Sequence, residues 1–431
     1  MTGMLTNWAG NVVFSTDQLH QPTTIPDLQD LVARSTMVRA LGTGHSFNEI
    51  ADTTGALISV AALPARLDID ARARTVTVSG GTRYAELGRA LHTAGYAIPN
   101  TGSLPHISVA GACSTGTHGS GNSLGNLSTF VSALEMVTAD GSLVSYSRVS
   151  DPDRFDGMVL ALGALGIVTA LTLDVIPTFS VRQDVYEGLP HAALLDNFDQ
   201  IMAAGYSVSA FSTWTDPWVH QIWVKSRTEP TDDSPAAATL HGATLATAGG
   251  HPLQVLASEN TTQRFGVPGP WNERLPHFRI EFTPSTGEEV QSEYLLPRSH
   301  AVAALRALED IAADIAAVLQ ASEIRTTAPD DLWLSPSHQR DTVCLHFTWI
   351  KDEVAIAPVV RAIEQRLAAF DARPHWGKRF TVKPEEIARL YPRFDDFRSL
   401  MVDMDPTGKF RNDTINHIFR YQPIGVTHVA D

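Results

Sequence analysis

Cysteine is nearly missing from this sequence: Cys113 and Cys344 are the two in 431 residues. They are too few for a disulfide framework in a chain this long, so a reducing cytoplasm is the expected location. Long apolar runs are missing too. No stretch is long and apolar enough to cross a bilayer, and Met1-Thr2-Gly3-Met4 lacks the basic segment and apolar run of an export signal. A basic block is equally lacking, with Lys and Arg numbering 32 against 47 Asp and Glu for a net charge of -15. That excludes a nucleic-acid backbone or an anionic membrane as partner. No internal repeat is visible, which excludes solenoids and propellers. What remains is a protein with a small-molecule ligand, no metal, a monomeric state and a length that allows two cores.

The first part of the chain alternates short strand and helix patterns, the rhythm of an α+β domain. Thr24-Ile25-Pro26-Asp27 offers an N-cap hydroxyl, an early proline and an acid ahead of Leu28, Leu31 and Val32 at helical spacing. Strands are expected at 38–41, 56–60, 75–78 and 167–173, a helix at 84–94 stopping at Gly95, and a hairpin at 131–146 around Asp140-Gly141. The composition changes near Pro177. Residues 228–262 are rich in Ala, Thr, Gly and Pro without periodicity and read as a surface excursion. Beyond it, 279–283, 322–326 and 343–349 alternate with a period of two, as neighbouring strands of one sheet do, and 300–319 fits amphipathic covering helices.

Two small-residue stretches stand out, the first explicable alone as a tight turn between strands and the second too poor in large apolar residues to be explained by packing. Gly42-Thr43-Gly44-His45-Ser46 leaves a strand, and its glycines let consecutive amides point at one anion. A Rossmann fingerprint is excluded, because the third glycine and its helix are missing. The second stretch runs Gly102-Ser103-Leu104-Pro105-His106-Ile107-Ser108-Val109-Ala110-Gly111-Ala112-Cys113-Ser114-Thr115-Gly116-Thr117-His118-Gly119-Ser120-Gly121. Its small and hydroxyl residues suit close backbone approach to a diphosphate and a flat ring. Two such loops suggest a dinucleotide.

The substrate face follows from periodicity. Glu323 and Arg325 leave one face of their strand, and His346 and Thr348 leave one face of theirs, while Leu345, Phe347 and Trp349 take the opposite face. An acid, a guanidinium, an imidazole and a hydroxyl supply both donors and acceptors. A ligand with a hydroxyl on every carbon requires that mixture.

The runs Leu41-Gly42-Thr43-Gly44-His45-Ser46-Phe47, Ser103 to Gly121, and His375-Trp376-Gly377-Lys378 together resemble the vanillyl-alcohol oxidase and p-cresol methylhydroxylase flavoprotein superfamily. Within it the chain is similar to the bacterial alditol oxidases, also called xylitol oxidases. The likeness continues through Gly266-Val267-Pro268-Gly269-Pro270-Trp271 to Asp405-Pro406-Thr407-Gly408-Lys409-Phe410. It implies a two-domain α+β flavoprotein. An FAD-binding domain is built from both chain ends, residues 1–177 and 371–431, with an inserted substrate domain of antiparallel sheet covered by helices at 178–370.

The resemblance also implies residue roles. FAD bonds covalently through His45, and its site comprises Leu41, Gly42, Thr43, Gly44, Ser46, Phe47, Ser103, Ser108, Gly111, Ser114, Thr115, Gly116, Thr117, His118, Gly119, Ile167 and His375. A second, cysteinyl link is not expected, since Leu104 stands near that position and Cys113 reads as a packed residue. Ser103, Glu323, Arg325, His346, Thr348, Lys378 and Gln291 bind a linear polyol such as xylitol or sorbitol. Lys378 and Arg325 hold the reacting hydroxyl, Lys378 being better suited to proton removal. O2 is the expected acceptor, reaching the flavin beside Gly102, and hydrogen peroxide the by-product. The rival readings are an aldonolactone oxidoreductase, a family that also carries an H-W-x-K motif, and a flavin- or sugar-binding protein without turnover.

Overall fold

The computed structural model describes residues 4–231, 234–250, 252, 258–282 and 287–420. Its first helix, Ile25–Arg34, starts where Thr24 Oγ1 accepts the Asp27 amide at 3.2 Å and Pro26 fills the first turn. Leu28, Leu31 and Val32 form the buried stripe. They pack with Val38, Ala56 and Ile58 of a three-stranded parallel sheet and with Val137 and Ile167. The hairpin strands Val131–Val137 and Leu143–Ser147 join Ile167–Asp174, Thr75–Ser79 and an unforeseen edge strand, Leu67–Asp70, in a five-stranded antiparallel sheet. Helix Tyr84–Thr93 ends before Gly95, whose φ of +84° glycine adopts without strain.

A ten-stranded sheet dominates the middle of the chain. Six of its strands run Ser180–Pro190, Trp218–Thr228, Ser207–Ser212, Leu319–Thr327, Thr342–Ile350 and Glu289–Pro297, each antiparallel to the next. Leu345, Phe347 and Trp349 alternate onto one face with Val290, Tyr294 and Ile324. There they meet the helices Ala301–Glu309, Ala312–Val318 and Glu353–Leu367 through Leu305, Leu308, Ile315 and Ile363. The other face is polar. Pairing sets Phe211, Glu323, His346 and Glu293 in one row, Ala321, Thr348 and Gln291 in the next, and Arg325 opposite Cys344.

Two expectations need correction. The alternating segment 279–283 is not a strand: Phe278 makes a lone bridge to Thr261, and the Phe282 amide closes a turn onto the Arg279 carbonyl. Ile280 and Phe282 line a cavity instead of facing a neighbouring strand, and Thr283 lies outside the described residues. Nor is 228–262 wholly irregular. Thr239–Leu240 and Ala243–Leu245 form a hairpin on the sheet edge, where Ala243 is buried; residues 232, 233, 251 and 253–257 lie outside the described residues. Among the described residues no helix is long and apolar enough to cross a membrane.

The helices Pro384–Leu390, Phe394–Met404 and Asp413–Phe419 put Ile387, Phe397 and Ile415 into the same core as Leu91, Leu134 and Leu171. Two buried cations tie these distant segments. Lys409 Nζ donates to the carbonyls of Val32, Ala33 and Ala139. The Arg39 guanidinium donates to those of Ile50, Leu162, Gly163 and Phe410, and although burial lowers its pKa to about 10, it stays charged at neutral pH. Arg39→Met would leave these buried acceptors without their donor. The expected loss is ~3 kcal/mol in urea unfolding; a wild-type midpoint would refute the tie.

Candidate active site

The two small-residue loops and the polar sheet face enclose a cavity of about 850 Å³, a size usual for cofactor and ligand sites. Leu41, Gly42, Thr43, Gly44, His45, Ser46, Phe47, Ser103, Ser108, Gly111, Ser114, Thr115, Thr117, His118, Ile167 and His375 line it, as do Gln291, Glu323, Arg325, His346, Thr348 and Lys378. Gly116 and Gly119 are not among the lining residues. Gly116 caps the short helix Val109–Thr115 at φ +73°, and a Cβ on Gly119 would collide with the Thr101 carbonyl oxygen and the Asn100 side chain. Both serve chain packing. Gly102 also lies off the cavity wall, where a Cβ would stand 3.4 Å from Thr117 Cγ2.

The loops meet backbone to backbone. A Cβ on Gly42 would come within 2.5 Å of Ser108 Oγ and 3.7 Å of Gly111 Cα, so a larger residue would have to displace the Ser108 hydroxyl. His45 stacks on Trp8 with centroids 4.8 Å apart and planes at 18°. Its Nδ1 lies 3.1 Å from Thr43 Oγ1, while Nε2 is buried without a hydrogen-bond partner among the described residues. Burial pulls the imidazole pKa down to about 4, leaving a neutral ring. Bare glycine backbone around a large cavity, with a neutral imidazole nitrogen unused at its wall, fits the expected FAD. Leu104 lines the same cavity. Cys113 instead points into the core, with Sγ 3.5 Å from Tyr84 Oη, and burial pushes its thiol up to about 12.

Charge is concentrated on the sheet side. Glu293, 1% exposed, receives Arg325 Nη2 at 2.5 Å, Lys378 Nζ at 2.6 Å and His118 Nε2 at 3.2 Å. Burial opposes its charge, but Arg325, Lys378 and His118 hold its carboxyl well below the usual range. Burial likewise works against His118, yet Cys344 and Glu293 raise it to about 9. Arg325 is held above its ordinary value against burial by Glu293 and Glu323. For Lys378 burial prevails over Glu293, and the ammonium is lowered.

Glu323 takes His277 Nε2 at 2.8 Å and stands 3.6 Å from His346 Nδ1 and 3.7 Å from Arg325 Nε. Arg325 and His277 hold it ionised against burial. Burial lowers His346 to about 4 and His375 well below its ordinary value, so both are neutral rings. The His375 amide donates to the Glu293 carbonyl at 2.9 Å, its Nδ1 accepts from the Gly377 amide, and Asn48 Nδ2 donates to the Trp376 and Lys378 carbonyls at 2.8 Å. These bonds carry the Lys378 turn to the sheet and to the His45 loop.

Sequence reasoning missed Glu293, His277 and Lys225. For Glu293 the signal was present: Glu289, Gln291 and Glu293 alternate with Val290, Ser292 and Tyr294, and all three line the cavity. His277 sits in an irregular segment without periodicity, and nothing in the sequence marks it.

Comparisons with known proteins agree with this geometry. The family described as FAD binding domain matches residues 16–147, and that described as D-arabinono-1,4-lactone oxidase matches 284–418. The alditol oxidase of Streptomyces sp. (strain IKD472 / FERM P-14339) is 53% identical over 416 residues, covering 96% of this chain and 98% of its own. The L-gulono-1,4-lactone dehydrogenase of Mycobacterium tuberculosis (strain ATCC 25618 / H37Rv) is 29% identical, covering 96% of this chain and 98% of its own. Among solved structures, a solvent-stable cholesterol oxidase superposes with a TM-score of 0.77 at 16% identity over 96% of this chain and 97% of its own, a likeness of fold alone. With FAD-type loops on one wall of the cavity and more than half its residues shared with one relative over nearly the full length, the chain belongs to the alditol oxidase family of FAD-dependent oxidoreductases.

Proposed function

We propose that this chain oxidises the terminal primary hydroxyl of linear alditols such as xylitol and sorbitol to the aldose, using FAD linked covalently through His45. Bound FAD would accept the hydride and pass the electrons to O2, giving hydrogen peroxide. The observation that carries the reading is the charge arrangement on the sheet: Arg325 and Lys378 side by side on Glu293, with Glu323, His346 and Thr348 beyond them. Arg325 holds the reacting hydroxyl oxygen and favours its developing negative charge, joined by Lys378 once that lysine has taken the proton. Thr348, Ser103, Gln291 and the free capacity of Glu323 receive the remaining hydroxyls. An aldonolactone ring has fewer hydroxyls to match such a face.

Arg325 is raised and stays charged, so it serves as a fixed donor. Lys378 is lowered by burial, which gives it a neutral form able to take the hydroxyl proton. Glu293 then stands 2.6 Å from the ammonium so formed. Cys113 and Cys344 are both free thiols, which suits a cytoplasmic protein, and we read it as a monomer.

Oxygen uptake against a panel of alditols, aldonolactones and aromatic alcohols tests the substrate class. Fastest turnover with a lactone would overturn it, and a yellow cofactor that xylitol never bleaches would mark a binder.

Covalent attachment predicts that wild-type protein stays fluorescent in a denaturing gel, whereas His45→Ala does not; flavin released wholly into acid supernatant from wild type would rule the bond out. For Lys378, the rate of cofactor bleaching under anaerobic rapid mixing should climb with pH as the ammonium deprotonates below its ordinary value. Lys378→Met should retain FAD, lose that pH dependence and slow bleaching by about a hundredfold or more. Bleaching at the wild-type rate in Lys378→Met would end the proposed role.

A further inference from the structure

Lys225 lies on the strand Trp218–Thr228, 1% exposed, outside the group of residues assigned to substrate or cofactor. Its ammonium meets three acceptors: the carbonyl oxygens of Leu275 and Pro276, and Nδ1 of His277 at 3.0 Å. Three acceptors use all three N–H bonds of an ammonium, which has nothing to accept with. The His277 nitrogen facing it therefore presents its lone pair. A neutral imidazole carries its proton on the other nitrogen, and Nε2 lies 2.8 Å from Glu323 Oε1. Burial lowers His277 to about 4 and Lys225 to about 7, but the ionised Glu323 oxygen can only accept, so the His277 proton sits on Nε2, and the lysine, charged or neutral, still has an N–H to give the bare Nδ1.

His277 is also fixed in place. Its amide donates to the Ser103 carbonyl at 3.0 Å, and the edges of Trp223 and Phe211 flank the ring at 5.0 and 5.8 Å between centroids. One residue thus joins the Ser103 loop to the sheet. Glu323 Oε2 differs from Oε1: its nearest cationic or imidazole neighbours are 3.6 Å and 3.7 Å away, beyond good hydrogen-bond length, and Glu323 lines the cavity.

We propose that Lys225 and His277 are positioning residues: Lys225 holds His277 as the Nε2–H tautomer, whose hydrogen bond occupies Glu323 Oε1 and leaves Oε2 to accept from alditol hydroxyls remote from the reacting carbon. This rests on the reading of Glu323 as a substrate contact. Without the lysine the buried Nδ1 loses its donor, and the ring is free to turn and release Glu323 Oε1, which leaves the carboxylate out of register. His277 lines the cavity beside Glu323, Lys225 stands behind it, and within the proposal both act through Glu323 and not through Lys378. Their loss acts on binding of a long polyol and spares a short one.

The test uses FAD-loaded protein and two substrates, xylitol and ethylene glycol, which has no distal hydroxyls. Half-saturation and limiting rate of cofactor bleaching are measured for Glu323→Gln, His277→Leu, His277→Gln and Lys225→Met. His277→Leu and Lys225→Met should each raise half-saturation by xylitol about tenfold, keep the limiting rate within about threefold, and leave ethylene glycol unchanged. Combined, they should do no more than either alone. His277→Gln should restore xylitol binding, because its amide can donate to Glu323 while accepting from Lys225. Unchanged half-saturation in Glu323→Gln would remove Glu323 as a substrate contact, and the proposal with it. If Glu323→Gln weakens xylitol binding while His277→Leu and Lys225→Met do not, or if both substrates weaken equally, Glu323 stands and the positioning role falls. A readout independent of turnover guards against unfolded variants: in 15N-histidine-labelled wild type, the resonances absent from His277→Gln should show Nε2 protonated and Nδ1 bare. The opposite tautomer overturns the proposal.

Discussion

The buried carboxylate of Glu293 is the contact on which the sheet side of the cavity depends. Taking such a group out of water costs several kcal/mol unless it is compensated, and here Arg325 and Lys378 hydrogen-bond it while His118 stands within ion-pair distance, so three separate parts of the chain converge on it. Arg325 comes from a strand two places away in the sheet, Lys378 from the turn after residue 374, and His118 from the second small-residue loop. Removing the acid would leave two cations to repel each other in a dry site. With it in place they stand together, and the cofactor loop, the sheet and the lysine turn are locked to one point.

That lock gives the cavity a direction. Its cationic corner lies at Arg325 and Lys378, and its main acceptor, Glu323, lies on the far side of Arg325, with His346 and Thr348 on the adjoining strand. A chain of hydroxyls entering such a site meets donors at one end and a carboxylate at the other.

How much of this was legible in the sequence varied with the regularity of the backbone. Period-two alternation in 322–326 and 343–349 put Glu323, Arg325, His346 and Thr348 on one face, because strand geometry leaves no other choice. The glycines at 42 and 111 read in sequence as room for a ligand, whereas the structure adds a contact that no spacing announced, Gly42 facing Gly111 across the two loops. Gly116 and Gly119 have a packing reason of their own, since a glycine needed for a helix cap or against a neighbouring carbonyl looks identical in sequence to one needed for a ligand. Segment 279–283 alternates as a strand does, yet two of its apolar residues line a cavity rather than a sheet. Glu293 was readable but passed over, and His277 was not readable at all, its position depending on tertiary contacts with Lys225 and Ser103.

Asn48 bonds the backbone of the His45 loop to carbonyls of residues 376 and 378, more than three hundred positions along the chain. A ribosome delivers these partners at opposite ends of synthesis. The glycine loops emerge early, but the wall that bears Lys378 follows only after the whole ten-stranded sheet has been made. During that interval the nascent chain holds half a cavity, with His45 uncovered on the sheet side. Any enclosure of His45 by this wall therefore comes only after the last strand has closed the sheet.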